Sequence, residues 1–241
     1  PQYTLDLLSK FSLTNDELFE AFDHARARGV EVMCTPWDRP SVDALVGYGL
    51  PALKIASADL TNHDLVSYAA ATGVPLILST GMSSEEEIVE TARLVRESGT
   101  PFVMLHCQST YPAPFKDVNL RYMARIGELA GCPVGYSGHE RGFHVPLAAV
   151  ALGASVIEKH VTVDRGMEGN DHKVSLLPDE LAAMVRQTRE LEDAMGSAAP
   201  RAVSTGEMMN RVNLAKSLVA TRRIEAGEVV SPADVDVKSP G

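Results

Sequence analysis

Short apolar segments, each followed by a helical pattern, recur along most of this chain, at residues 31–34, 52–56, 75–79, 102–107, 133–136 and 155–160. They are rich in Val, Ile and Leu, as strands buried on both faces should be. Between them lie amphipathic stretches. Residues 15–28 carry Leu18, Phe19, Phe22 and Ala25 at helical spacing, and Gly29 follows as a stop. Ser84 opens another helix, with Glu85, Glu86 and Glu87 where negative charge meets the helix dipole. Pro178, Asp179 and Glu180 start a long one that runs to about Met195, with Gly196 beyond it. Strand–helix alternation of this kind implies a parallel sheet. Strand starts fall roughly 20 to 30 residues apart, which suits a (β/α)8 TIM barrel or a doubly wound sheet. No G-x-G-x-x-G follows a first strand, so a dinucleotide fold is not supported. A barrel needs eight strands and about six βα units are legible, so two are expected to be missing at the N-terminal end.

The barrel part is expected to span 1–196. Beyond it the character changes: 197–213 reads as a linker, small and polar over 197–206, and 214–241 as the start of a second small domain. There, 215–220 reads as a strand, 224–228 as a turn and 231–234 as a helix start. So short a tail cannot make its own core. Pro1 is an unusual first residue, and the chain is expected to be truncated at both ends.

Charge narrows the partners. With 22 basic and 32 acidic residues the net charge is −10, and no basic run is interleaved with aromatics, which argues against nucleic acid. An anionic substrate would have to be held by local donors. Three cysteines, Cys34, Cys107 and Cys132, fit a reducing cytoplasm better than a disulfide framework. No membrane span or signal-peptide pattern is present.

In a parallel barrel the C-terminal strand ends form the active rim. Here those ends offer Thr35 to Asp38; Lys54, Ser57 and Asp59; Ser79 to Gly81; His106 to Ser109 with Tyr111; Ser137 and His139; and Glu158, Lys159 and His160. Lys54, Ser57, Ser79, Ser137 and the amides near Gly81 could cradle an anion, with phosphate the natural guess. The same Ser and Thr residues could instead cap the following helices. His139 and His160 end neighbouring strands and suit one divalent metal with open positions, although a strand-end His is also a common structural residue. Glu158 shares a face with His160, while Lys159 points the other way and reads as structural. Asp171, in the loop after the sixth strand, either reaches back over the rim or is solvated. His106 reads as a satisfied buried histidine, and nothing marks Cys107 with a lowered pKa.

KIAS at 54–57, LSTGM at 78–82, HC-x-STYP at 106–112, GYS-x-H at 135–139 and EKH at 158–160 together resemble the N-acetylneuraminate (sialic acid) synthase family over essentially the whole chain. The tail after Lys216 resembles the start of that family's antifreeze-like (SAF) domain. The resemblance implies a TIM barrel that condenses phosphoenolpyruvate with an open-chain N-acylhexosamine, such as N-acetylmannosamine. The products would be a nine-carbon 2-keto acid and phosphate. It further implies Mn2+ or Mg2+ on His139 and His160, and phosphoenolpyruvate on Lys54, Ser57, Ser79, Ser109 and Ser137. Tyr111, Glu158 and Asp171 would face the sugar, Asp59 would stand near the reacting centre, and the protein would be a cytoplasmic homodimer. Two family segments, E-I-x-x-N-H-x-G and K-F-Q, do not occur in this chain, and neither does the second half of the SAF domain. Other readings are a pseudaminic or legionaminic acid synthase, a metal-dependent barrel hydrolase, and a catalytically silent sugar-phosphate-binding remnant.

Overall fold

The structure is a computed structural model that describes residues 9–239. The chain divides into two compact units, 1–195 and 196–241. The first opens with helix α1, Asn15–Ala27, capped by Thr14 and Glu17 in a reciprocal capping box. Helix α2, Arg39–Tyr48, follows, with Asp38 accepting from Ser41 N at its start and Gly49 in the left-handed conformation at its end.

Strand and helix then alternate: β1 Leu53–Ile55, α3 His63–Ala70, β2 Leu76–Ser79, α4 Glu85–Glu97 and β3 Phe102–Cys107. After β3 come α5 Phe115–Val118, α6 Tyr122–Ala130, β4 Val134–Gly138, α7 His144–Ala151, β5 Ile157–Lys159 and α8 Pro178–Met195. The five strands make one all-parallel sheet in sequence order, curled as a half-barrel. Ser84 and Glu87 close a capping box on α4. The expected spans of α1 and α8 and the expected start of α4 thus match the structure closely.

The first expected strand, 31–34, is not one. It contributes a single parallel bridge, Cys34 to Leu53, with Lys54 N donating to Cys34 O at 3.0 Å. Pro36 follows immediately and has no N–H to extend a ladder. At the other edge, Val161 bridges Leu176 in the same isolated way. The absence of a strand before residue 31 holds over 9–30; residues 1–8 lie outside the described residues.

Period-two alternation sorts the sheet into two faces. Leu53, Ile55, Leu76, Leu78 and Met104 point to the helices and are buried among Val42, Leu45, Val66, Ala69, Ile88, Val95 and Ile126. Tyr136 on β4 joins a smaller cluster with Val118, Met123 and Ala149. The opposite, concave face carries Lys54, Ser79, Cys107, Ser137 and Glu158. The registers Ser79–Leu105–Gly135 and Cys107–Ser137–Glu158 step these residues up the curl.

In the second unit, residues 205–214, expected to be linker, form helix α9, Thr205–Leu214, with a Ser204–Glu207 capping box. Helical periodicity is weak there, and the cap is the stronger local signal. An antiparallel pair follows, β6 Ser217–Ala220 and β7 Val235–Lys238.

At Gly135 the neighbouring strands leave no room for a side chain. A Cβ there would lie 2.4 Å from Val156 O and 2.6 Å from Leu105 Cδ2. Gly135→Ala should cost about 1–3 kcal/mol through overpacking. Gly47→Ala, on the exposed side of α2 with nothing within 4 Å, should instead stabilise by up to about 1 kcal/mol. Thermal unfolding of both variants checks this: equal melting points would refute the packing account.

Candidate active site

The concave face opens, at the C-terminal strand ends, into a cleft of about 460 Å³. Lys54, Ser57, Ser79, Ser109, Tyr111, Ser137, His139, Glu158, His160 and Asp171 all line it. Asp59 does not. It ends the short 3-10 turn Ser57–Asp59 with its carboxylate accepting from Asn62 Nδ2 at 2.9 Å, a local turn contact outside the cleft. A cleft of similar size, about 470 Å³, runs past Arg141, Arg165, Lys173 and Glu180, but none of the sequence-derived site residues lines it.

One side of the cleft is a cluster of donors. Lys54, with only 12% of its side chain exposed, donates to Ser79 Oγ at 2.8 Å and to Ile55 O at 3.1 Å. Its nearest countercharge is Glu158, at 3.6 Å. Burial pulls the Lys54 pKa below the ordinary lysine value, and the Glu158 charge works against that pull. Ser137 Oγ donates to Glu158 Oε1 at 2.7 Å, so Glu158 ties the serine to the lysine. Ser57 Oγ accepts from Gly81 N at 3.1 Å. A Cβ on Gly81 would lie 2.0 Å from Ser109 Oγ and 2.8 Å from Ser57 Oγ, so its missing side chain lets both hydroxyls close in.

The other side carries the histidines. Gly138 and Lys159 are partners in the β4–β5 ladder, so the next residues, His139 and His160, emerge side by side. Their ring centroids are 5.2 Å apart. Tyr111 covers them, 4.1 Å from the His139 ring and 5.9 Å from that of His160. Nδ1 of His139 faces Gln108 O at 2.9 Å. A carbonyl only accepts, so this contact assigns the proton to Nδ1 and leaves the Nε2 lone pair free. His160 Nδ1 lies 3.7 Å from Asp171 Oδ2, in the 3-10 turn Asp171–Lys173. A ring nitrogen held by a carbonyl, as His139 Nδ1 is, is the usual support of a metal-binding imidazole; the His160–Asp171 contact is an ion-pair distance, longer than a hydrogen bond.

Ionisation differs between the two rings. Burial holds the His160 pKa below the usual imidazole value, against the opposing charge of Asp171. For His139 burial acts in the same direction, but Cys107 and the Gln108 carbonyl outweigh it and the pKa rises. Cys107 Sγ, 3.7 Å from His139 Nδ1, shows the reverse: burial pushes the thiol up, and its contacts with His139, Ser57 and Ser109 bring it down. That corrects the expectation for Cys107, whose partner lies 32 residues away on the next strand. Tyr111, pushed up to about 12 by burial and by the Cys107, Asp171 and Glu158 charges, stays a phenol.

Two expectations for neighbouring residues match. His106 is buried on the helix-facing side, its Nε2 donating to Val118 O at 2.6 Å. Lys159 also points away from the cleft. Sequence reasoning missed Met82, which lines the cleft with a left-handed φ of 64°. Nothing in the residue type signals it.

Two imidazoles 5.2 Å apart can share one ion held at about 2.0–2.2 Å from each nitrogen. Among the described residues no group of three or more His, Cys, Asp or Glu side chains is placed to hold a metal. His139 and His160 are the two side chains there that could hold such an ion.

Comparison with known proteins follows the same lines. The profile of the NeuB family matches residues 1–200. The N,N'-diacetyllegionaminic acid synthase of Campylobacter jejuni is 40% identical over 239 residues, which cover 98% of this chain and 71% of that protein. The N-acetylneuraminate-9-phosphate synthase of Homo sapiens is 35% identical over 226 residues, covering 93% of this chain and 63% of that protein. Among solved structures, the N-acetylneuraminic acid (sialic acid) synthetase of Leptospira borgpetersenii serovar Hardjo-bovis, in complex with citrate, superposes with a TM-score of 0.81 at 34% identity. That match covers 87% of this chain and 74% of that one.

Gly81→Ala should drive Ser57 and Ser109 apart while leaving the core untouched. The expected result is about tenfold weaker binding of inorganic phosphate, about 1.4 kcal/mol, at a melting point close to the parent's. Calorimetric titration with inorganic phosphate checks it.

Proposed function

This chain belongs to the NeuB family of sialic-acid-synthase-type enzymes, and we propose that it condenses phosphoenolpyruvate with an open-chain N-acylated amino sugar, releasing phosphate. The observation that carries the reading is the division of the cleft: an anion cradle around Lys54 on one side, two adjacent imidazoles on the other, and Glu158 between them.

The overall bond changes set what the residues must do. C3 of phosphoenolpyruvate bonds to the aldehyde carbon of the sugar, water adds at C2, and phosphate leaves. Lys54 with Ser57, Ser79, Ser109 and Ser137 holds the phosphate and carboxylate by charge-assisted hydrogen bonds. Substrate anion arriving at Lys54 supplies a further countercharge to this buried ammonium. Tyr111, protonated throughout the physiological range, donates to the sugar. Glu158 and Asp171 are the carboxylates within reach of the sugar hydroxyls and of any proton released there.

His139 and His160 would hold the divalent ion. Its chemistry would be to polarise the aldehyde oxygen and orient the attacking water. Imidazole donors suit first-row transition ions, among which Mn2+ is the most weakly bound, so geometry and supply rather than raw affinity would choose the ion. The acceptor is either N-acetylmannosamine or a diacetamido sugar of the legionaminic type.

Phosphate release from phosphoenolpyruvate, measured with each sugar and with Mn2+ or chelator, tests the proposal. Metal-dependent release with one acceptor is expected, and silence with every acceptor would overturn it. His139→Ala or His160→Ala should lower turnover by at least about 100-fold, as loss of a metal ligand does. Mn2+ binding should weaken as pH falls. A ligand imidazole must be unprotonated, and His139 is held above the ordinary 6.5, so the loss should begin above that value. A titration flat down to pH 5 would contradict the histidine assignment.

A further inference from the structure

Behind the two histidines, on the helix-facing side of β4 and β5, lies a buried polar cluster that the proposed chemistry does not use. Glu140 directly follows His139, and Lys159 directly precedes His160. Their side chains are 0% and 1% exposed and form an ion pair of 3.1 Å. Tyr136 OH donates to Glu140 Oε2 at 2.6 Å, and Lys159 Nζ also donates to the backbone carbonyl of Glu140. The cluster has a purpose-shaped seat. A Cβ on Gly138 would lie 2.8 and 2.9 Å from the two Glu140 carboxylate oxygens and 2.9 Å from Tyr136 Cε1. The carboxylate thus folds back into the space that a glycine leaves.

Stability alone is a poor reason for such a pair. Two charges taken out of water gain little over well-packed apolar groups of the same volume. What the pair does achieve is geometric. β5 has three residues in its ladder, and its last pairing is Gly138 with Lys159. Beyond that point the two strands no longer pair with each other: His139 O accepts from Ala113 N and His160 O from Leu176 N, and this is where both imidazoles emerge. The lysine of one strand grips both the side chain and the backbone of the residue next to the other strand's histidine.

We propose that Tyr136, Glu140 and Lys159, seated against Gly138, are positioning residues that fix the separation and direction of the His139 and His160 rings. The inference rests on the reading of those histidines as a metal pair.

The triple variant Tyr136→Phe, Glu140→Met, Lys159→Met replaces the cluster by apolar groups of similar volume, so no buried charge is left alone. It should fold with a melting point near the parent's, and bind Mn2+ about 10- to 100-fold more weakly, the usual cost of losing a ligand's support. Gly138→Ala, which keeps every charge but displaces the carboxylate, should weaken Mn2+ binding in the same direction. It decides the matter if the triple variant does not fold. Parent-like Mn2+ affinity in a folded variant overturns the proposal. If the parent itself binds no Mn2+, or binds it equally well as His139→Ala, the metal reading has failed. The 15N shifts of the two imidazoles in metal-free protein then judge positioning by themselves: displaced signals for both rings support it, and unchanged signals overturn it.

Discussion

The register of β4 against β5 is the constraint on which the rest of the site depends. It pairs Ser137 with Glu158 and Gly138 with Lys159. Everything chemical follows from that alignment: the serine meets the carboxylate, and His139 comes out beside His160. A slip of β5 by one residue would send His160 toward the helices and bring Lys159 to the cleft beside His139. Buried strands hold such a register firmly, because each shift also exchanges apolar for polar residues on the packed side.

The same alternation explains how one sheet holds both a dry core and a charged cleft. Leu76 and Leu78 face the helices while Ser79 faces the curl; Met104 and His106 face out while Cys107 faces in. Within the cleft, charges are few and mutually arranged. Lys54 has one carboxylate nearby, and that carboxylate also accepts from Ser137. A protein of net charge −10 can hold an anion in this way because the decisive donors are local and half-buried, where screening is weak.

Much of this was legible in the sequence. Helix starts carry their caps in adjacent residues, so Ser84 with Glu87 and the proline at 178 mark their helices directly. Strand ends carry polar residues that an apolar run cannot explain, which exposed Lys54, Ser137, His139 and His160. Long-range pairing was not legible. Residues 31–34 have the composition of a strand, yet only Cys34 finds a partner, and no local pattern reports that. Asp59 stands only two residues beyond Ser57, but the 3-10 turn carries it away from the cleft. Cys107 needed His139 beside it before its thiol could be judged, and the Glu140–Lys159 pair needed the fold.

The central claim is that His139 and His160 jointly hold a metal ion facing the Lys54 cradle. A crystal soaked with Mn2+ and phosphoenolpyruvate, with diffraction recorded at the manganese edge, tests it most directly. The account predicts one strong anomalous peak within bonding distance of a nitrogen of each histidine, with the phosphate density against Lys54 and Ser79. Manganese bound elsewhere, or to one histidine alone, would contradict it.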